Sequence, residues 1–537
     1  MSTRTEAPGS PPRPTPRGGP ETLAGKGAGA AAGLVSAAAA MGLSAVLHTV
    51  VPAVPFPPVA VAQEVIRLAP GSVDAFFIDR FQHGARPAAV IGSGLGFLFA
   101  ATLLGLALPW LRRRLRGRTA LAATVLAVPL YAVAVLMYRR MTGWVPVAVF
   151  ALVLAPVFGA SVAFGVAAFR RMGEGRARDD PDVTRREVVR AMWVGGGAFL
   201  LGWASLGRFV FRRPDPGHER LAAPRVSPTA VPSPAPGDAA FGRIRGLTPE
   251  ITSNDRFYTV NEELFPPDID PETWRLQIGG LVDRPFSLSY RELKALPAVE
   301  QFLTLECISN RIGGHLISTA KWVGVPLPDL LDRAGVQGGA LEVVSRSVDG
   351  YSDSIPVDKA MERTTIIAFG MNGHVLPRAH GFPARILVPG YYGMKQPKWL
   401  GSIEVVDRPH RGYWEQRGWI KEAVVKTMSR IDVPRSGTAE AGRITVAGIA
   451  FAGDRGISRV EVSTDGGRTF ADAELKTALS AFTWRVWRHS FTPSPGRLTI
   501  FVRATDGAGT TQTSAVTPPE YSGSTGWHGV EVVEQEG

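Results

Sequence analysis

Cys307 is the sole cysteine in a chain of 537 residues, and its surroundings suit a soft metal. It lies in Thr304-Leu-Glu-Cys307-Ile-Ser-Asn310-Arg311-Ile-Gly313-Gly314, where the apolar run Phe302-Leu303-Thr304-Leu305 reads as a strand. That strand delivers the thiol to a turn rich in Gly, Asn and Ser. A thiolate so placed can ligate a soft metal; a lone Cys can equally be a small buried hydrophobe. His380 and Arg385 stand on either side of a Gly-Phe-Pro turn, with Gln396 and Lys398 further on. Arg brings bidentate geometry to a phosphate, and His and Lys add donors. Tyr258, Thr259 and Asn261 in one stretch, and Asp349, Tyr351 and Ser354 in another, carry hydrogen-bonding side chains. Each residue has a plainer alternative: a loop histidine, a surface ion pair, a solvated lysine, a packed tyrosine.

The elements that must position these residues change character along the chain. From 241 to 423 the texture is α+β. Strand-like runs are Trp274-Arg-Leu-Gln-Ile, Leu341-Glu-Val-Val-Ser and Ala384-Arg-Ile-Leu-Val, with short helical stretches at 289–296 and 327–334. Its loops carry Gly, Pro and Asn, as expected of a scaffold that wraps a large polar ligand. From 424 to 537 alternating strands and turns such as Asp465-Gly466-Gly467 predict an immunoglobulin-like β-sandwich, read as a dimerisation or interaction module.

The first half reads as an α-helical transmembrane region over 28–211. Five apolar runs, at 31–54, 88–109, 120–137, 145–169 and 191–211, are long enough to cross a bilayer. The net charge of +12 does not point to nucleic acid, because arginines cluster beside the apolar runs. Five arginines fall between Trp110 and Thr119 and seven between Arg170 and Arg190. That bias puts the N-terminus in the cytoplasm and everything after the fifth run outside the cytoplasmic membrane. Thr184-Arg185-Arg186-Glu187 ahead of that run reads either as a twin-arginine export signal or as two arginines obeying the same bias. Residues 1–27 are expected to be disordered, and 212–240, with seven prolines, to be a stiff tether. A lone Cys excludes an intramolecular disulfide, so the second half must rest on ordinary cores.

An ordered set of motifs over about 245–535 resembles the sulfite oxidase family of molybdopterin enzymes. It comprises Phe257-Tyr258-Thr259-Val260-Asn261, the Cys307 loop, Trp322-Val-Gly324, Asp349-Gly-Tyr351-Ser-Asp-Ser354, His380-Gly381-Phe382-Pro383-Ala384-Arg385, Lys398-Trp399-Leu400-Gly401 and Val462-Ser-Thr-Asp465-Gly-Gly. The resemblance implies that Cys307 binds molybdenum, whose other sulfur ligands come from the pterin. It implies that Tyr351 and Arg311 belong to the catalytic centre. Tyr258, Thr259, Asn261, Asp349, Ser354, His380, Arg385, Gln396 and Lys398 would hold the cofactor, the last four around its phosphate.

Two departures bear on the substrate. An Arg precedes the Asn of the first loop in true sulfite oxidases, where this chain has Val260, and a second Arg follows Arg311's counterpart, where this chain has Ile312. Both would help neutralise an oxyanion, so a sulfoxide becomes as suitable a substrate as sulfite. His315 is a further candidate lining residue. No haem is expected, since only His48 and His83 lie near the apolar runs. The expectation is a membrane-anchored oxidoreductase exchanging electrons with a quinone-linked or cytochrome partner, with a homodimer formed through the sandwich. A non-catalytic membrane protein that reuses the fold for binding or assembly is the alternative.

Overall fold

Val323, Val325, Ile367 and Phe369 alternate along two neighbouring strands with Ala320, Trp322, Ile366 and Ala368, and all eight are buried. The first four enter a core with Leu276, Ile278, Leu330 and Ile403, and the second four enter another with Phe257, Leu303 and Leu305. A sheet buried on both faces explains why these strands read as continuous apolar runs rather than alternating ones. The structure is a computed structural model describing residues 57–68, 85–115, 215–222, 226–227, 232–261, 266–439, 442–493 and 496–534.

The doubly buried sheet has the strand order Val226–Ser227, Ala298–Glu306, Ile317–Pro326, Ile366–Met371 and Arg385–Leu387, with His374–Val375 paired to Ile366–Met371. A second sheet has the order Phe286–Ser289, Arg275–Gly280, Leu400–Val406, Glu342–Ser347 and Ser352–Pro356. Both sheets contribute to the first core, together with the helix Leu327–Ala334. Within the second sheet, Trp274, just before the strand Arg275–Gly280, donates Nε1 to the carbonyl of Leu400, at the start of the strand Leu400–Val406, at 2.7 Å.

The C-terminal part is a sandwich. One sheet has the order Met428–Val433, Ile444–Phe451, Arg485–Phe491 and Glu474–Leu475; the other has Gly437–Ala439, His528–Glu534, Gly496–Asp506, Ile457–Ser463 and Ala471–Asp472. Val446, Val460, Val462, Trp487, Ile500, Val502 and Val532 fill the space between them. Two anchors tie this sandwich to the Cys307 loop. Arg430 donates to the Gly314 carbonyl at 2.7 Å, and Ser524 Oγ to the Asn310 carbonyl at 2.7 Å.

The structure corrects the expected fold class. The half carrying Cys307 is mostly β rather than α+β: its helices Tyr290–Ala295, Leu327–Ala334 and Val357–Ala360 have 6, 8 and 4 residues. Helices this short are marginal alone and persist by packing. Leu327–Ala334 does so by burying Leu327, Leu330 and Leu331. The transmembrane bundle is corrected as well, since among the described residues no helix is long and apolar enough to cross a membrane. The run at 88–109 falls in the helix Ala85–Arg114. The runs at 31–54, 120–137, 145–169 and 191–211, the segment 1–27 and the arginine pair at 185–186 lie outside the described residues, as does part of 212–240.

Candidate functional site

The strand Ala298–Glu306 ends one residue before Cys307, and its last pair, Glu306 with Ile317, fixes where the thiol leaves the sheet. The turn that follows is built by Asn310. Its backbone N–H donates to the Cys307 carbonyl at 2.9 Å, its Nδ2 to Glu306 Oε1 at 2.9 Å, and its Oδ1 accepts from Leu316 N at 3.0 Å. A side chain at Gly314 would collide with Asn310 Oδ1, so the second glycine of the loop is what admits this bracing. Burial pushes the Glu306 carboxyl up to about 8, opposed by the Asn310 bond and then by Arg430. Next to the thiol, Glu306 therefore carries little charge at neutral pH.

Cys307, 9 % exposed, opens into a cavity walled by both polar and apolar side chains. Tyr258, Thr259, Asp349, Tyr351, His380, Arg385, Gln396 and Lys398 line the same cavity. Residues from four separate stretches of sequence thus meet around one thiol. Gly381, at φ +116°, makes the approach possible, because a Cβ there would stand 3.1 Å from both the Arg385 and Lys398 Cβ atoms. Trp399 adopts a left-handed φ of 50°. For a bulky residue that costs roughly 1–3 kcal/mol, and it is held by full burial and an Nε1 bond to the Arg378 carbonyl at 2.8 Å. This conformation sets the direction of Lys398, whose Nζ donates to the Val260 carbonyl at 3.1 Å.

The cationic side is unusually dry. Arg385 is 5 % exposed and donates to the His380 and Gln396 carbonyls, each at 3.1 Å, while its Nε has no partner among protein atoms. Burial pulls its guanidinium down to about 10, with the nearby Tyr258 hydroxyl opposing. His380 Nε2 pairs with the Asn254 carbonyl at 2.9 Å, and burial holds the ring down to about 4, so it is neutral at pH 7. Opposite stand Tyr351, whose hydroxyl donates to the Met394 carbonyl at 2.6 Å, and Asp349, whose Oδ1 accepts from Tyr351 N at 3.0 Å. Burial raises the Asp349 carboxyl, against that bond and Lys398.

Three expected residues do not line the cavity. Arg311 is exposed on the turn after the thiol. Ser354 lies on the strand Ser352–Pro356 with its hydroxyl on Glu342 at 2.8 Å. Asn261 lies just past Val260, and both its amide atoms are buried without a protein partner. Val260 itself lines the cavity. Ile312 instead faces the sandwich near Gly526. His315 lines a separate cavity with Arg256, Arg430 and Trp484. Sequence reasoning passed over Ser347, Met394, Trp414 and Trp419, which complete the wall. The density of aromatics in Tyr413-Trp414 and Trp419 was the available signal.

The residues present fit a molybdenum–pterin group. Among the described residues no cluster of three or more His, Cys, Asp or Glu can hold a metal unaided. A metal at Cys307 would therefore draw its other ligands from a cofactor, as dithiolene sulfurs provide. Arg385 Nε, Ser347 Oγ and Trp419 Nε1 are buried without protein partners, and all three residues line the cavity. Buried polar atoms normally find partners, and an extended polar ligand with a phosphate supplies them. When bound, such a group supplies two-electron oxygen-atom chemistry at the metal.

A thiol, a dry Arg beside a half-buried Lys and a ring of polar edges, set on two sheets and followed by a sandwich, define a molybdopterin-type oxidoreductase. The chain matches the oxidoreductase molybdopterin binding domain over residues 263–414 and the Mo-co oxidoreductase dimerisation domain over residues 416–533. It is 34 % identical over 337 residues to mitochondrial sulfite oxidase from Homo sapiens, covering 52 % of this chain and 61 % of that protein. Against sulfite oxidase from Gallus gallus it is 33 % identical over 335 residues, covering 52 % and 72 %. Against the uncharacterized oxidoreductase YuiH of Bacillus subtilis (strain 168) it is 34 % identical over 185 residues, covering 33 % and 91 %. The chain thus spans about three-fifths of the length of the human protein. It belongs to the sulfite oxidase-like family of molybdenum cofactor-dependent oxidoreductases, and its cofactor is molybdenum carried by molybdopterin.

Proposed function

We propose that the chain transfers an oxygen atom to or from a small sulfur compound at a molybdenum centre ligated by Cys307. The observation that carries this reading is the buried thiol sharing one cavity with Arg385, Lys398 and Tyr351. Cys307 would fix the metal, and Arg385, Lys398 and neutral His380 would hold the phosphate end. Gln396 shapes that end from behind, its Oε1 accepting from Val388 N at 3.1 Å. Tyr351 would present a hydroxyl to the substrate oxygen.

The wall favours a neutral substrate such as a sulfoxide over a dianion such as sulfite. Val260, Leu305, Ile308, Met394, Trp414 and Trp419 are apolar, and Val260 stands where the resemblance places a charge-neutralising Arg. A dianion in such a setting lacks the cations that would offset its desolvation. Electrons would pass to or from a quinone-linked or cytochrome partner, and residues 416–533 would form a homodimer. An extracytoplasmic location for the folded domains is part of the same proposal, tested by fractionation of cells.

The test is turnover of the cofactor-loaded chain on sulfite and on alkyl and aryl sulfoxides, with an artificial electron acceptor or donor. Sulfoxide reduction exceeding sulfite oxidation is expected. Purified protein without molybdenum, from a host that makes the cofactor, would sink the proposal.

A further inference from the structure

Tyr351 meets the reaction cavity on one side and a buried ion cluster on the other. Its hydroxyl lies 3.4 Å from Asp353 Oδ2 while donating to the Met394 carbonyl. Lys395 Nζ donates to Asp353 Oδ1 at 2.7 Å and also to Glu415 Oε1. The three side chains are 0 %, 1 % and 3 % exposed for Asp353, Lys395 and Glu415. Backbone donors complete the cluster: Ser354 N to Asp353 Oδ1 at 2.8 Å, and Gly412 N to Glu415 Oε2 at 3.2 Å. Gly412 must be glycine, since a Cβ there would sit 2.8 Å from Asp353 Cγ.

Two carboxylates facing one ammonium in a dry core leave one negative charge unbalanced, which is costly. A proton on Asp353 removes the imbalance. Burial pushes Asp353 up to about 7, and Glu415 adds to this, with Lys395 opposing. Other charged groups nearby are already paired. Glu342 binds Lys421, His410 Nε2 meets Ser352 Oγ at 3.0 Å, and Arg346 binds Glu404 at 2.8 Å. The Tyr413 ring packs on Tyr351 at 5.7 Å.

We propose that Asp353, held by Lys395 beside Glu415, is a proton reservoir that serves the reaction cavity through the Tyr351 hydroxyl. The inference rests on the oxygen-transfer reading above. Reduction of a sulfoxide is R2SO + 2 H⁺ + 2 e⁻ → R2S + H2O, with electrons from the external one-electron donor. The S–O bond breaks, and the released oxygen leaves as water, with one proton from the relay and the second from solvent. Tyr351 gives its O–H proton toward that oxygen and takes one from Asp353, whose carboxylate Lys395 then stabilises. The reservoir refills from solvent between turnovers. In the oxidising direction, the same groups carry protons outward. Asp353 acts through Tyr351 and is a positioning and relay residue.

The test uses the cofactor-loaded full chain with an aryl sulfoxide and a reduced viologen. Asp353→Asn is expected to lower kcat at least about a hundredfold, the lower reach of positioned proton transfer. It should leave KM nearly unchanged and flatten the pH dependence of kcat around 7. A variant that retains its cofactor and keeps the wild-type kcat and pH profile overturns the proposal.

Infrared titration gives a readout independent of turnover. Wild-type protein is expected to lose a buried carboxylic-acid band as pH rises through about 7, and Asp353→Asn to lack it. If that variant fails to accumulate, Glu415→Gln should move the band's titration to lower pH, because a negative neighbour is gone; an unmoved titration overturns the proposal. A wild-type band with no turnover of sulfite or any sulfoxide would refute the oxygen-transfer reading and leave the reservoir standing. Absence of the band in wild type refutes the reservoir.

Discussion

Arg385→Met separates a cofactor-binding arginine from a structural one by its opposite effects on empty and loaded protein. In the empty chain the guanidinium is a buried cation without a carboxylate partner among the described residues, pulled by burial well below its ordinary value to about 10. That depression corresponds to roughly 3 kcal/mol spent on keeping the charge dry. Against this stand two bonds to the His380 and Gln396 carbonyls, each at 3.1 Å, together contributing about 2–4 kcal/mol. Methionine fills similar space and carries no charge, so the two effects nearly cancel. The empty variant should unfold within about 4 °C of wild type. The loaded protein should behave otherwise, because a charge-assisted contact to phosphate worth about 2–3 kcal/mol is lost. Molybdenum per chain should then fall sharply when cofactor is limiting. Thermal unfolding of protein from cofactor-deficient and cofactor-competent hosts, with metal analysis, makes the comparison. A variant that is strongly destabilised when empty, or that keeps full molybdenum, would refute the assignment.

Two further outcomes concern the sandwich. Burial holds His528 down to about 4, with Arg430 adding to this, and its Nδ1 accepts from Ile431 N at 3.0 Å. The folded state thus favours the neutral ring. This contribution is complete above the unfolded value near 6.5 and is lost as pH falls toward 4, by roughly 2–3 kcal/mol. Denaturant melts at pH 7 and pH 4.5 should show that loss in wild type and much less of it in His528→Gln. Gly448 lies across from Ile431 in the strand pairing, and a Cβ there would run into the Arg430 carbonyl. Gly448→Ala should cost about 3 kcal/mol or more by forcing the strands apart, read as a lowered denaturation midpoint; an unchanged midpoint would show that the pairing yields freely.

Much of the site was legible because its chemistry is local in sequence. The Cys307 loop, the His380–Arg385 turn and Asp349-Gly-Tyr351 each carry their own geometry, in glycines and caps that residue types announce. Ser354 and Arg311 belong to the right stretches, yet strand alternation turns one toward Glu342, and the Asn310-braced turn leaves the other exposed. Trp414 and Trp419 were not legible as wall residues, because nothing in their spacing says which cavity a loop will close. The Asp353–Lys395–Glu415 cluster is the plainest case. Its members are separated by 42 and 20 residues, and each alone reads as an ordinary surface charge. The helical content was overread for a related reason: short apolar stretches do not distinguish a buried strand from a helix until both sheet faces are known to be covered.

The central claim is that Cys307 holds the metal, and molybdenum K-edge X-ray absorption of wild type and Cys307→Ser tests it most directly. Loss of a single sulfur neighbour in the variant, with the pterin sulfurs and much of the cofactor retained and oxygen transfer abolished, is the predicted result. An unchanged sulfur shell, or wild-type turnover in the serine variant, would contradict it.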